Sequence, residues 1–311
     1  MTPPAILVLG PTAAGKTALA LHLADRFAFE IVSVDSALVY RNMNIGTAKP
    51  EADTLKKYPH HLIDLIEPTD AYSAARFCRD ARAVMAAISA RGKVPLLVGG
   101  TMLYAKALFG GLSELPEADS VVRAELAARA AQIGWAGMHR ELTRVDPQTA
   151  QRLKPGDSQR IQRALEVFQL TGTPISTLQT RANEPREFAW RTLKIGLVPD
   201  DRGVLHQRIA ARFEAMLAEG LVDELLQLRT HYALDADMPS MRAVGYRQAW
   251  QFVDGEIDQK TLRETGIAAT RQLAKRQLTW LRSMAEVQTV ECLRSELNAR
   301  VTDLCAEFLS Q

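Results

Sequence analysis

Five apolar residues in succession, Ala5-Ile6-Leu7-Val8-Leu9, run directly into Gly10. No polar residue alternates with them, so the run predicts a strand covered on both faces, as in a parallel sheet. From Lys16 to about Phe27 the pattern changes period: Leu19, Leu23 and Phe27 recur at helical spacing. Glu30 to Asp35 predicts a second strand. Ser73 to Arg91 predicts a helix, with Ser73 as N-cap and Gly92 just past its end. Val94 to Val98 predicts a third buried strand, and Gly99-Gly100-Thr101 opens the next helix. Strand and helix in alternation predict an α/β fold with a parallel sheet. Over residues 115–180 strands disappear. "VVRAELAARAAQIG" (Val121 to Gly134) is rich in helix formers, "DSQRIQRALEVFQLTG" (Asp157 to Gly172) carries its own cap and glycine stop, and Pro116, Pro147, Pro155 and Pro174 punctuate the stretch. Leu193 to Asp200 returns to strand character. Helices are expected at about Asp201–Glu219, Leu221–His231 and Gln259–Ala285, and a last strand at Val287–Cys292. The expected organisation is therefore a core of residues 1–114 and 181–311, interrupted by a mostly helical insertion at 115–180.

Composition changes this picture little. In 311 residues, 47% are hydrophobic and 24% charged, an ordinary globular balance, and the net charge is only +2. Any strongly basic surface must then be local. Cys78, Cys292 and Cys305 are far apart and form no C-x-x-C spacing, so neither a zinc site nor a disulfide framework is expected, and a reducing cytoplasmic setting fits. The start, Met1-Thr2-Pro3-Pro4, has no basic region leading into a long apolar run, and no stretch approaches the ~20 apolar residues of a membrane span. Nothing demands more than a monomer.

The chemistry enters at Gly10-Pro11-Thr12-Ala13-Ala14-Gly15-Lys16-Thr17, a full match to G-x-x-x-x-G-K-[ST] set between the first strand and the first helix. Gly10 and Gly15 let the backbone curl so that its N–H groups face phosphate oxygens. The helix N-terminus adds its dipole, Lys16 adds a mobile cation, and Thr17 can ligate the Mg²⁺ that a diphosphate brings with it. A nucleotide hydrolase usually carries an acid at the end of a second apolar strand. Here the third strand ends in Gly99-Gly100-Thr101, and the nearby strand-end acid is Asp35. A phosphate-loop kinase for a small metabolite also places an aspartate there, as base for the acceptor hydroxyl. Kinase and group transferase both survive to this point, beside a non-enzymatic nucleotide switch that leaves Asp35 without a role.

"SVDSALVYRNMNIGTAKP" (Ser33 to Pro50) follows the second strand. Together with "GPTAAGKT", "LLVGGTMLY", "DSQRIQRALEV", "MRAVGYRQ" and "KRQLTWLR" it resembles the tRNA dimethylallyltransferases, or tRNA isopentenyltransferases, with the motifs in that family's order from Gly10 to Arg282. The resemblance implies transfer of the five-carbon group of dimethylallyl diphosphate to the exocyclic N6 of the adenosine 3′ of the anticodon in tRNA, with release of diphosphate. The phosphate loop would then hold a prenyl donor, with Mg²⁺ as cofactor. It also implies roles for particular residues. Asp35 would be the base for the N6 proton, the alternatives being a helix cap or an outer ligand of Mg²⁺. Thr12, Lys16 and Arg212 would offset the charge growing on diphosphate, although Arg208, one turn away, makes a plain solvated arginine the rival reading for Arg212.

The anticodon stem-loop would meet the remaining motifs. Ser36, Ala37 and Leu38 would surround the target base, with Thr101 and Arg123 on the tRNA side of the site. Gln159, Arg160, Ile161, Gln162 and Arg163 lie on the insertion helix. Ala243, Val244, Gly245, Tyr246, Arg247 and Gln248 offer a glycine for close approach, a tyrosine for stacking and an arginine for phosphate. In "RQLAKRQLTWLR" Arg271, Lys275, Arg276 and Arg282 occur with no acid, which suits a phosphate backbone, while Leu273 and Trp280 can face the core.

Overall fold

A computed structural model of the chain describes residues 2–111, 115–181, 188–284 and 286–311. In chain order the elements are β1 (Pro4–Leu9), α1 (Lys16–Ala24), β2 (Phe29–Val34), α2 (Ala52–Lys57), β3 (His60–His61), α3 (Ala74–Ala90), β4 (Val94–Gly99) and α4 (Met102–Gly110). They continue with α5 (Ser120–Val145), α6 (Pro147–Arg152), α7 (Ser158–Thr171), α8 (Ile175–Arg181), β5 (Arg191–Val198) and α9 (Arg202–Ala218). The chain ends with α10 (Leu221–His231), α11 (Tyr246–Val253), α12 (Gln259–Arg282), β6 (Gln288–Glu291) and α13 (Leu297–Leu309).

The chain divides into two compact units, residues 1–109 with 188–311, and residues 110–187. The first holds a six-stranded sheet in the order β3-β2-β4-β1-β5-β6, parallel at every pairing. Its α/β class is the one the apolar runs predict. β1 lies between β4 and β5, and Ala5 to Leu9 have no exposed surface. Leu19 and Leu23 of α1, with Val301 and Cys305 of α13, close one core cluster against Ile6, Val8, Ile31 and Ile195. Burying each such side chain contributes about 1.5–3 kcal/mol. Two strand-end glycines permit close approach. A Cβ on Gly99 would lie 2.0 Å from the Val34 carbonyl oxygen, and one on Gly10 would lie 2.9 Å from the Leu197 Cβ. The C-terminal edges of β2, β4 and β1 therefore sit side by side, and each leads into a predicted site segment. Open α/β sheets bind ligands at that edge.

Every regular element described in the second unit is a helix. Leu126, Ala130, Met138, Leu142, Ile161, Ala164 and Val167 form its core. Gly134 breaks α5 at φ 68° and ψ 165°, after which the helix resumes to Val145. Buried Asp146 begins α6 by accepting the Thr149 N–H at 2.9 Å, and also accepts the Ser176 N–H and hydroxyl at 3.0 and 2.8 Å.

Candidate active site

The loop after β1 has the shape of a phosphate cradle. Gly15 starts α1 from the left-handed region (φ 84°), and Ala13 shares that region (φ 63°), an unusual conformation for a residue with a Cβ. The Lys16 ammonium folds back over the loop and donates to the Pro11 carbonyl at 2.6 Å. Among the described residues its positive charge is paired with no carboxylate. Burial draws the Lys16 amine down to about 8; Asp35 opposes that fall and Arg212 adds to it.

Asp35 follows β2. Its Oδ1 accepts the Ala37 N–H at 2.8 Å, turning the chain sharply after the strand and leaving the second carboxylate oxygen free of protein donors among the described residues. The turn is tied to the end of β4: Thr101 Oγ1 accepts the Ser36 N–H at 2.9 Å and donates to Ser36 Oγ at 3.2 Å. Arg212, on α9, is drawn below its usual value by burial, with the Asp35 charge working against that. Thr12, Lys16, Thr17, Asp35, Ala37, Leu38 and Arg212 line one cavity of about 190 Å³. The remaining wall is largely apolar: Ile209, Phe213 and Met216 from α9, Leu273 from α12, and Ala243 and Val244 from the loop before α11. Two cations, one carboxylate and a curled backbone thus meet beside an apolar wall. Such a site can hold a diphosphate, stabilise its departure and take up a proton.

The position that the sequence reading passed over is Gln277. Only 8% exposed on α12, it accepts the Thr12 N–H at 2.9 Å and donates to the Gly100 carbonyl at 3.0 Å. One amide thereby fixes the phosphate loop to the turn after β4. Gly100 has to be glycine for this, since a Cβ there would meet Gln277 Nε2 at 2.3 Å. The signal available in the sequence is a glutamine in phase with Ala274, Leu278 and Leu281, all buried.

Three expectations need correction. Tyr246 is not available to stack on a base: it has no exposed surface, and its hydroxyl donates to Glu224. Gly245 and Gln248 are buried with it, the Gln248 side chain accepting the Gly245 N–H at 3.0 Å, which leaves Ala243 and Val244 of that motif lining the cavity and Arg247 exposed. Ile161 is likewise a core residue of the helical unit and cannot touch a partner. Trp280 does not face the core but is 37% exposed, with the Lys106 ammonium 5.6 Å from its ring centre. In the helical unit Gln159 and Arg160 are exposed, Arg160 pairing with its own cap Asp157 at 2.9 Å. Arg123 and Arg163 converge on fully buried Glu166. Arg123 binds it through Nε at 2.9 Å and Nη2 at 3.2 Å, and Arg163 through Nη1 at 2.7 Å, while Gln162 donates to the Arg123 carbonyl. These two arginines neutralise an internal carboxylate, a role the resemblance did not imply. Arg271, Lys275, Arg276 and Arg282 are all exposed. Arg271, Lys275 and Arg282 line a groove of about 410 Å³ with Arg202 and His206 of α9, and no acid lines it.

The fold and this cavity define a phosphate-loop α/β protein with a carboxylate poised beside the cradle. Comparison with known proteins narrows the class. The IPP transferase profile matches residues 38–284, and an isopentenyl transferase profile matches residues 4–65. The tRNA dimethylallyltransferase of Thiobacillus denitrificans is 59% identical over 307 residues, covering 99% of this chain and 97% of that protein. The crystal structure of the full-length tRNA isopentenylpyrophosphate transferase from Bacillus halodurans superposes with a TM-score of 0.71 at 34% identity, covering 99% of this chain and 97% of that one. A eukaryotic dimethylallyltransferase solved acting on tRNA shares the fold, with a TM-score of 0.79 at 24% identity over 99% of this chain and 80% of its own. The chain belongs to the IPP transferase family. The transferase reading is therefore the one these relatives support, and the metabolite kinase is not.

Proposed function

We propose that this chain transfers the dimethylallyl group of dimethylallyl diphosphate to N6 of the adenosine 3′ of the anticodon in tRNA. The observation that carries the reading is the meeting of Asp35, Lys16 and Arg212 in one cavity with the phosphate loop. The diphosphate occupies the curl of Gly10 to Thr17, and the dimethylallyl tail extends toward Phe213, Met216 and Leu273. As the allylic C–O bond breaks, its electron pair leaves on diphosphate, where Thr12, Lys16, Arg212 and the loop amides offset the growing charge. The N6 nitrogen forms the new C–N bond, and its proton passes to Asp35. The apolar wall keeps water from the allylic carbon while it is electron-poor.

The residues fit a Mg²⁺ carried by the donor. Among the described residues no three His, Cys, Asp or Glu side chains cluster as a metal site, so the ion's ligands would be diphosphate oxygens, water and the Thr17 hydroxyl. Bound there, Mg²⁺ would neutralise the leaving group.

The target base is stacked in the anticodon loop and has to swing out to reach Asp35. Ser36, Ala37, Leu38 and Thr101 would receive it, a reading supported by the Thr101–Ser36 bonds that hold this turn beside Asp35. The exposed basic groups of α12, with Arg202 and His206, suit the phosphate backbone of the anticodon stem-loop, as do Gln159 and Arg160. No helix among the described residues is long and apolar enough to cross a membrane, and a cytoplasmic monomer is the simplest setting for this chemistry. Incubation with Mg²⁺, unmodified tRNA and labelled dimethylallyl diphosphate, beside a parallel reaction with labelled ATP, tests the proposal. Label passing from the prenyl donor into tRNA is expected. ATP consumption without prenyl transfer would restore the kinase reading.

A further inference from the structure

The cavity wall includes Gly46, Thr47 and Ala48, part of a turn that carries no charged side chain into the site. What holds this turn lies behind it. Glu224, on α10, is only 8% exposed, and its carboxylate is filled by donors. Oε2 accepts the Asn44 N–H at 2.9 Å and the Ile45 N–H at 2.8 Å; Oε1 accepts the Gly46 N–H at 3.2 Å and the Tyr246 hydroxyl. Three successive backbone amides converging on one anion make a nest, a geometry that needs the negative charge. Side-chain packing pins the turn as well. A Cβ on Gly46 would meet the Tyr246 ring at 2.4 Å and Leu221 at 2.7 Å, so the bare glycine backbone lies flat against both. Thr47 closes the turn by donating to the Met43 carbonyl at 2.7 Å.

We propose that Glu224 is a positioning residue for prenyl transfer: its buried carboxylate holds the 44–46 turn so that Gly46, Thr47 and Ala48 close the cavity around the donor and the incoming base. The inference rests on the transferase reading of this cavity. Glu224 is not among the residues that line the cavity. It acts through the backbone it holds, and the phosphate loop has its own support in Gln277. The two halves of the cavity are therefore separable by experiment.

Glu224→Gln is the informative variant because it keeps the volume. Its amide NH₂ would settle at the Oε1 position, where the Tyr246 hydroxyl can reverse and accept, but where the Gly46 N–H would then face another donor. The charge and one amide bond are lost, and the turn shifts. Misplacing a cavity wall in this way costs about 100-fold in transfer. The expected result is a fall of that order in kcat/KM for dimethylallyl diphosphate with tRNA present, while the dissociation constant for inorganic diphosphate stays within about threefold. Tyr246→Phe removes one donor yet leaves the anion and its three amides, and should stay within about fivefold in transfer. Gly46→Ala displaces the turn without altering Glu224, and should reproduce the Glu224→Gln loss if that variant fails to fold. Transfer by Glu224→Gln within about threefold of the unaltered protein overturns the inference, as does a parallel loss of diphosphate affinity, which would make Glu224 a general fold residue. No transfer by the unaltered protein overturns the transferase reading, and the inference with it.

Discussion

Gln277→Met isolates the device that joins the phosphate loop to the rest of the sheet edge. Methionine conserves volume and shape on a helix face already packed through Ala274, Leu278 and Leu281, so α12 itself should stay in place. What is lost is the acceptor for the Thr12 N–H and a donor to the Gly100 carbonyl. The second loss is partly covered, because Gly100 O also accepts the Met102 N–H at 3.1 Å. The first is not. A hydrogen bond is worth about 1 kcal/mol net, rising toward about 3 kcal/mol where the orphaned group stays away from water. Together these put the cost near 2 kcal/mol. Part of it appears as global stability and part as a loosened cradle, for which an expected weakening of inorganic diphosphate binding is about tenfold. Titration calorimetry in Mg²⁺ measures the affinity and a urea transition measures the stability. Gln277→Glu retains an acceptor for Thr12 but sets a carboxylate among the cavity-lining residues and against the Gly100 carbonyl, so it should bind diphosphate no more tightly than Gln277→Met. Unchanged diphosphate affinity in Gln277→Met, with stability reduced, would refute the reasoning: the glutamine would then fasten a helix to a sheet without shaping the cradle.

Three other outcomes are expected. Lys16, drawn down to about 8 by burial, must be charged to meet diphosphate, so kcat/KM for the donor should fall as pH rises through about 8; a flat profile from about pH 7 to 9.5 would contradict this. Glu30 is a buried residue of β2, and although burial opposes it, bonds from Arg91, His61 and Lys93 hold its carboxyl down to about 2. A lowered carboxyl contributes stability above its ordinary value of 4.5 and loses it as pH falls toward 2, so Glu30→Gln should cost about 1–2 kcal/mol near neutral pH, discounted because Arg91 and Lys93 are 49% and 43% exposed, and almost nothing near pH 2. A pH-independent gap in urea midpoints would remove that assignment. Lys275→Ala with Arg276→Ala should weaken tRNA binding and lower the salt slope by about 1–2, and an unchanged slope would mean that neither residue faces phosphate.

The parts of this molecule legible in its sequence are those set by local pattern. β1 and β4 are almost wholly apolar runs because both faces of the sheet are covered, and β2 keeps the same character apart from buried Glu30 and Ser33. The cradle is visible because its glycines, lysine and threonine are contiguous. Asp35 is visible because it ends a strand. What pattern does not carry is pairing at a distance. Gln277 meets the loop at Thr12 across 265 positions, and Glu224 meets the 44–46 turn across about 180. In "AVGYRQ" Tyr246 could stack on a base or pack inside, and the tertiary packing against Gly46 and Glu224 decides for the interior. Arg123 and Arg163 read as free charges until Glu166, on the same helix as Arg163, supplies their partner. α2 and β3 escape for a different reason: α2 is six residues with none buried and β3 is two residues, too little for any period to register.

The central claim is that the phosphate loop holds a leaving group while Asp35 receives a proton from an adenine. Its most direct measurement is the nucleoside content of tRNA after incubation with dimethylallyl diphosphate and Mg²⁺, for the unaltered protein and for Asp35→Asn. Asparagine still accepts the Ala37 N–H that Asp35 takes at 2.8 Å, so the turn survives while the base is removed. N6-dimethylallyladenosine from the unaltered protein, and at least a hundredfold less from Asp35→Asn with tRNA binding intact, is the predicted result. No prenylated adenosine from the unaltered protein, or equal amounts from both, would contradict it.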